Sequence, residues 1–286
     1  MSASPAADSR NAPSSRPRSG EAVDGPSPPA EPFPSPLAAF DLTGEERHSL
    51  TLQGIAGHLA FAVVGPGAVF YMRRIRGNRI EGLETARRVY RQALSTGRPT
   101  IVCANHLTMF DSLYLLHAFG STVDYLIDFR SFAWNVPAIE NFSSNLLWRT
   151  VVYLGKCIPI DRAGDATHHK NVLDKLAYLA QRGEPCMIFP EGGRSRTGRV
   201  DVESVTYGVG KVLAALERPQ VVCAYLRGDQ QKSYSDMPAR GDTLHLSAEV
   251  IEPRTSQTGL RAARDLSRQV AEKLRQMEER FFAERS

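Results

Sequence analysis

The sequence predicts an α/β fold: a single domain with a mixed, largely parallel sheet flanked by helices, preceded by an apolar helical segment. Three observations predict it. The 286 residues are 42% hydrophobic and 23% charged, enough for one sizeable buried core and unlike a disordered or multispanning chain. Beyond residue 81, amphipathic helices alternate with short apolar runs, the pattern of βαβ units. Two polar islands follow directly on two of those runs, where α/β folds place their sites.

Residues 1–40 read as a disordered Pro/Ser/Ala-rich tail. Nine of the 18 prolines lie before residue 37, with few aliphatic side chains whose burial could offset the entropy of ordering. No basic start followed by an apolar run stands there, so a secretory signal is not expected. Residues 41–76 form the apolar helical segment. No permanent charge occurs over 49–72, but Gln53, His58, Gly65, Pro66 and Gly67 interrupt the apolar character. The strongly apolar core is about 15 residues where a clean span needs roughly 20, which favours a helix lying in or dipping into one leaflet.

Directly after it, residues 73–98 carry eight arginines against Glu81 and Glu84, a net of +6 in a chain of net +4. Apolar helix followed by arginines is the juxtaposition expected at an anionic lipid bilayer, so the chain is read as membrane-associated at the cytoplasmic face. Nucleic acid, the rival partner for a basic run, is not expected because no helix-turn-helix, zinc finger or single-strand-binding signature accompanies the charge.

Residues 77–286 are expected to form the α/β domain. Leu83, Ala86, Val89, Tyr90, Ala93 and Leu94 recur at helical spacing, and Gly97 with Pro99 ends that helix. Strands are expected over residues 100–104, 123–127, 156–160, 185–189, 220–226 and 243–251. Helices are expected over 165–183 and 260–282. The cysteines Cys103, Cys157, Cys186 and Cys223 form no Cys-x-x-Cys pair, and His168-His169 has no ligand at metal spacing. Neither a metal nor a disulfide framework is expected.

The first polar island is Asn105-His106-Leu107-Thr108-Met109-Phe110-Asp111. On a continuous helix His106 and Asp111 point apart, so they meet only if the chain turns between them and a helix starts near Asp111. There the helix dipole favours a carboxylate, and an Asp beside a His fixes the imidazole tautomer for general-base chemistry. By itself the pair also fits a capping Asp and a hydrogen-bonded His. The second island, Phe189 to Gly198, offers glycine-rich backbone and the guanidinium groups of Arg194 and Arg196, suited to phosphate or to a solvated turn. It lacks the Gly-Lys-Ser/Thr of a P-loop. A third basic site is Ile160-Asp161-Arg162. No Gly-x-Ser-x-Gly is present, which removes a serine hydrolase of that type.

Taken together the islands resemble the glycerolipid acyltransferase family, the glycerol-3-phosphate and 1-acylglycerol-3-phosphate acyltransferases. Asn105 to Asp111 matches its Asn-His-x-Ser/Thr-x-x-Asp block, Gly155 to Arg162 its Gly-x-x-Ile-x-Ile-Asp-Arg block, and Phe189 to Ser195 its Phe-Pro-Glu-Gly-Thr-Arg-Ser block except at Gly193. The resemblance implies transfer of a fatty acyl group from acyl-CoA or acyl-carrier protein to a hydroxyl of a phosphorylated glycerol, without a cofactor. It makes His106 the base and Asp111 its orienting partner, with Glu191, Gly192, Arg194, Arg162 and Ser195 binding the acceptor. Chain length and the apolar segment favour a lysophospholipid acceptor, 1-acylglycerol-3-phosphate, over glycerol-3-phosphate, whereas Gly193 is similar to the latter branch. Another lysolipid acceptor, or a catalytically silent lipid-binding protein, are the remaining alternatives.

Overall fold

The structure, a computed structural model, describes residues 40–285. The tail expected over 1–40 lies, but for Phe40, outside the described residues. Helix α1 (Gly44–Phe70) starts on a capping box, in which Thr43 Oγ1 accepts from the Glu46 backbone N–H while the Glu46 carboxylate accepts from that of Thr43. It runs through Pro66 and closes in a π-helical turn over Tyr71–Ile75. The whole stretch Gly44–Ile75 is long and apolar enough to cross a membrane by length and composition.

Only a narrow stripe of α1, with Leu50, Gln53, Gly57 and Gly65, is buried. It docks on α5 (Leu146–Leu154) and the loop beyond. The Gln53 side-chain amide donates to the carbonyls of Tyr153 (2.9 Å) and Cys157 (2.8 Å). Gly57 is needed for the close approach, since a Cβ there would lie 2.6 Å from the Leu154 carbonyl oxygen.

Six strands form one sheet: β1 (Arg79–Glu81), β2 (Thr100–Ala104), β3 (Trp134–Asn135), β4 (Cys186–Ile188), β5 (Gln220–Gly228) and β6 (Thr243–Ile251). Their order is β1-β6-β5-β2-β4-β3, with β5 and β6 antiparallel and the other four pairings parallel. All five residues of β2 are buried, as befits a central strand covered on both faces. Alternation sends Ile101 and Cys103 into one core with α6 (Ala166–Gln181), α7 (Gly208–Ala214) and α8 (Gly259–Ala283). Val102 and Ala104 face the other core, with α2 (Leu83–Ser95), α3 (Asp111–Phe119) and α4 (Thr122–Ile127). Because β2 and β4 are adjacent and parallel, the loops that leave their carboxyl ends emerge side by side.

Two expected strands differ. Residues 123–127 belong to α4, because Ser121 and Asp124 form a reciprocal capping box that starts a helix ahead of the apolar run. Residues 156–160 make only isolated bridges, Cys157 to Asn135 and Ile160 to Ala138. Lys156 there takes φ of 51°, and its buried ammonium group sits 3.0 Å from Glu184 Oε2, over the rings of Phe129 and Trp134. That conformation breaks the extended run.

Candidate active site

Beyond β2 the chain is pinned before it turns. The Asn105 amide donates to the Leu226 carbonyl (3.0 Å) and accepts from the Leu226 N–H (2.8 Å), tying the loop to β5. The turn then delivers Asp111 as the first residue of α3. Its Oδ2 accepts from the backbone N–H of Leu107 (2.6 Å) and Thr108 (2.7 Å), and its Oδ1 from the Thr108 hydroxyl (2.6 Å). The same Oδ2 lies 3.0 Å from His106 Nδ1. With that carboxylate oxygen accepting from Nδ1–H, Nε2 is left with its lone pair and no protein partner among the described residues. The His106 ring stacks on Phe189, centroids 4.1 Å apart, and its carbonyl accepts from the Ser195 N–H at 2.8 Å. Asp111 itself is buried, whereas His106 lines a cavity.

The loop after β4 supplies the opposite wall. Gly192 sits at φ of 65°, and a Cβ there would meet the Thr206 methyl at 2.7 Å, so the turn requires glycine. Glu191 is packed against the His106 backbone N–H with its Oε1 buried and unpartnered among the described residues. Burial, with the carboxylates of Glu278, Asp201 and Asp111 adding to it, raises Glu191 to about 7. Arg194 donates through Nη1 to the Ser235 carbonyl (3.0 Å) and to Asp236 Oδ1 (2.7 Å), and lies over the Tyr234 ring. Arg162 is half-exposed and paired with Glu140 at 3.1 Å. His168 and His169 hold its loop through the Asp161 backbone N–H and carbonyl.

Of the seven residues expected in the site, His106, Glu191, Gly192, Arg194 and Arg162 line one cavity of about 1170 Å³, and Asp111 lies directly beneath its wall. Ser195 does not line it: its hydroxyl donates to the Arg199 carbonyl and accepts from the Arg199 N–H, closing the turn. Cys103 is a core residue whose thiol burial holds well above its ordinary pKa, so no thiolate nucleophile is available there.

Arg196, noted in the second island, lines the cavity with no carboxylate partner among the described residues. Lys211 on α7 lines it likewise and was not singled out by the sequence. A second such residue, Glu278, acts from outside. Its buried carboxylate on α8 accepts from Arg199 Nε (3.0 Å), the Val200 N–H (3.2 Å) and the Tyr225 hydroxyl (3.2 Å), fixing the far end of the Arg194 loop. A carboxylate four residues from Leu274, on an otherwise apolar stripe, was the signal that could have found it.

The cavity has two characters. Its lining includes His106, Arg162, Arg194, Arg196 and Lys211, and also Gly57, Phe61 and Val64 of α1 and Trp148 and Val151 of α5. An imidazole, several cationic side chains and apolar walls thus share one space. Residues 78–226, just over half of the chain, match the family model described as Acyltransferase. None of the curated proteins matches the chain.

Proposed function

The chain belongs to the acyltransferase family, that of the glycerolipid acyltransferases, and is an acyltransferase; from that premise we propose 1-acylglycerol-3-phosphate as its acceptor and phosphatidic acid as its product. The donor is an acyl thioester, acyl-CoA or acyl-carrier protein. The observation that carries the reading is that His106, four cationic side chains and the apolar residues of α1 and α5 line one cavity. At about 1170 Å³ it exceeds the roughly 300–1,000 Å³ of ordinary small-ligand pockets, which supports a lipid acceptor over glycerol-3-phosphate.

In the proposed reaction His106 Nε2 takes the proton of the acceptor hydroxyl as its oxygen attacks the thioester carbonyl carbon. Asp111 holds Nδ1–H, keeps the ring in register and stabilises the imidazolium that forms. The tetrahedral intermediate collapses, the carbon–sulfur bond breaks, and the leaving thiolate takes the proton back from His106. The acceptor phosphate sits at the cationic side chains. Arg194 has spent only Nη1 on Asp236 and Ser235 among the described residues, so the rest of its fork is open to phosphate oxygens. The enzyme works from the cytoplasmic face of an anionic bilayer, held there by α1 and the arginines behind it.

The test is competition at equal concentration between 1-acylglycerol-3-phosphate and isotopically labelled glycerol-3-phosphate, with one acyl thioester. Unlabelled phosphatidic acid as the main product is the expected result. Labelled lysophosphatidic acid as the main product would overturn the acceptor assignment.

A further inference from the structure

Helix α5 carries a surface that the reaction itself does not require. Asn145 caps it, its side chain accepting from the backbone N–H of Leu147 (2.9 Å) and Trp148 (3.3 Å), so the helix is well begun. Yet none of its nine residues is buried. Leu146 is 75% exposed, Leu147 69% and Trp148 45%. Scattered surface leucines are ordinary, but an apolar helix with seven of its nine residues exposed marks a docking face.

A second exposed apolar stripe lies on α1. Leu52, Ile55, Leu59 and Val63 recur at three and four on the side of α1 away from its buried stripe, and all are exposed. The two helices touch, and the exposed side chains Val64 of α1 and Trp148 and Val151 of α5 are at the same time walls of the cavity that holds His106. The cavity therefore opens at the seam between two outward-facing apolar helices. Exposed arginines flank the two helices. Arg149 on α5 and Arg73 and Arg74 behind α1 are exposed, with no carboxylate partner among the described residues, and α5 contains no acidic residue.

We propose that α5 sinks together with the outer stripe of α1 into one leaflet of an anionic bilayer, and that lipid substrate passes to His106 through the seam between them. Nine residues at 1.5 Å each reach about 14 Å, under half of the ~30 Å hydrocarbon core, so α5 inserts without spanning. Arg149 lies at the headgroups, its stem along the apolar surface. The seam as a passage rests on the lipid-acceptor reading above; the inserted face does not.

The experiment uses the full chain with Leu146→Asp and Leu147→Asp together, two exposed residues that do not line the cavity. Binding to vesicles of phosphatidylcholine and phosphatidylserine is expected to fall by at least about tenfold, since burying a single leucine is worth that much. Acylation of vesicle-borne lysophosphatidate should fall with it, while turnover of a soluble short-chain lysophosphatidate and the melting temperature stay near wild type. In wild type, brominated acyl chains should quench the fluorescence component that Trp148→Phe removes. Unchanged vesicle binding in the variant, or a Trp148 that bromine does not quench, would overturn the proposal. So would wild-type protein that sediments without lipid as a dimer, with the variant a monomer that still binds vesicles, because the face would then join two copies of the chain. Vesicle binding lost in the variant supports the inserted face even where wild type fails to acylate lysophosphatidate, a failure that sinks the acceptor reading alone.

Discussion

Glu191 has a carboxyl oxygen with no hydrogen-bond partner among the described residues, a few atoms from the base, and burial raises it to about 7 from 4.5. Between those values the folded protein holds a proton that the unfolded chain has released. Stability therefore falls as pH rises from 4.5 to 7, and the loss, at most about 3 kcal/mol, is complete above 7. Glu191→Gln cannot ionise, so its gain in melting temperature over wild type should be larger at about pH 8 than at about pH 5. An equal gain at both would show that Glu191 is not held in its neutral form. Asp111 is also buried, and both of its carboxyl oxygens are satisfied by the loop it organises. Its removal to Ala would leave four donors without an acceptor, His106 Nδ1–H among them, and Asp111→Asn is the substitution that separates chemistry from loop order.

At the scale of elements, the docking of α1 depends on one close contact. Gly57→Ala would place a methyl 2.6 Å from the Leu154 carbonyl oxygen and 3.2 Å from the Phe129 ring, and backbone cannot yield cheaply. A loss of about 1–3 kcal/mol is expected in urea unfolding. Gly67→Ala on the same helix meets nothing within 4 Å and should be neutral or stabilising by up to about 1 kcal/mol. Equal effects at the two positions would contradict this packing. The long elements were legible in the sequence because their periods are long: β2, β5 and β6, and helices α2, α6 and α8, lie where apolar spacing puts them. Strands β1 and β3, three and two residues long, are too short to show any period and exist through their neighbours. Helix α4 was hidden because an apolar run reads as a strand unless the Ser121–Asp124 capping box before it is noticed. The His106–Asp111 contact could be anticipated because it closes within five residues, whereas Lys211 and Glu278 reach the site only through the packing of α7 and α8.

For the whole molecule, the carboxyl ends of two interior strands gather the candidate site residues, and the proposed membrane face on the outward helices is what would give them a lipid to act on. Parallel pairing of β2 with β4 brings the base loop and the arginine loop together, and α1 with α5 extends the cavity from them to the apolar surface. The central claim is that His106 removes the proton of a lysolipid hydroxyl during attack on an acyl thioester. Its most direct test is thiol release and phosphatidic acid formation, measured together on vesicle-borne lysophosphatidate for wild type and His106→Ala. Wild type should yield thiol and phosphatidic acid in equal amounts, and the variant should lose both by about 10²- to 10⁴-fold at an unchanged melting temperature. A folded His106→Ala protein that keeps more than about a tenth of the wild-type rate would contradict the claim.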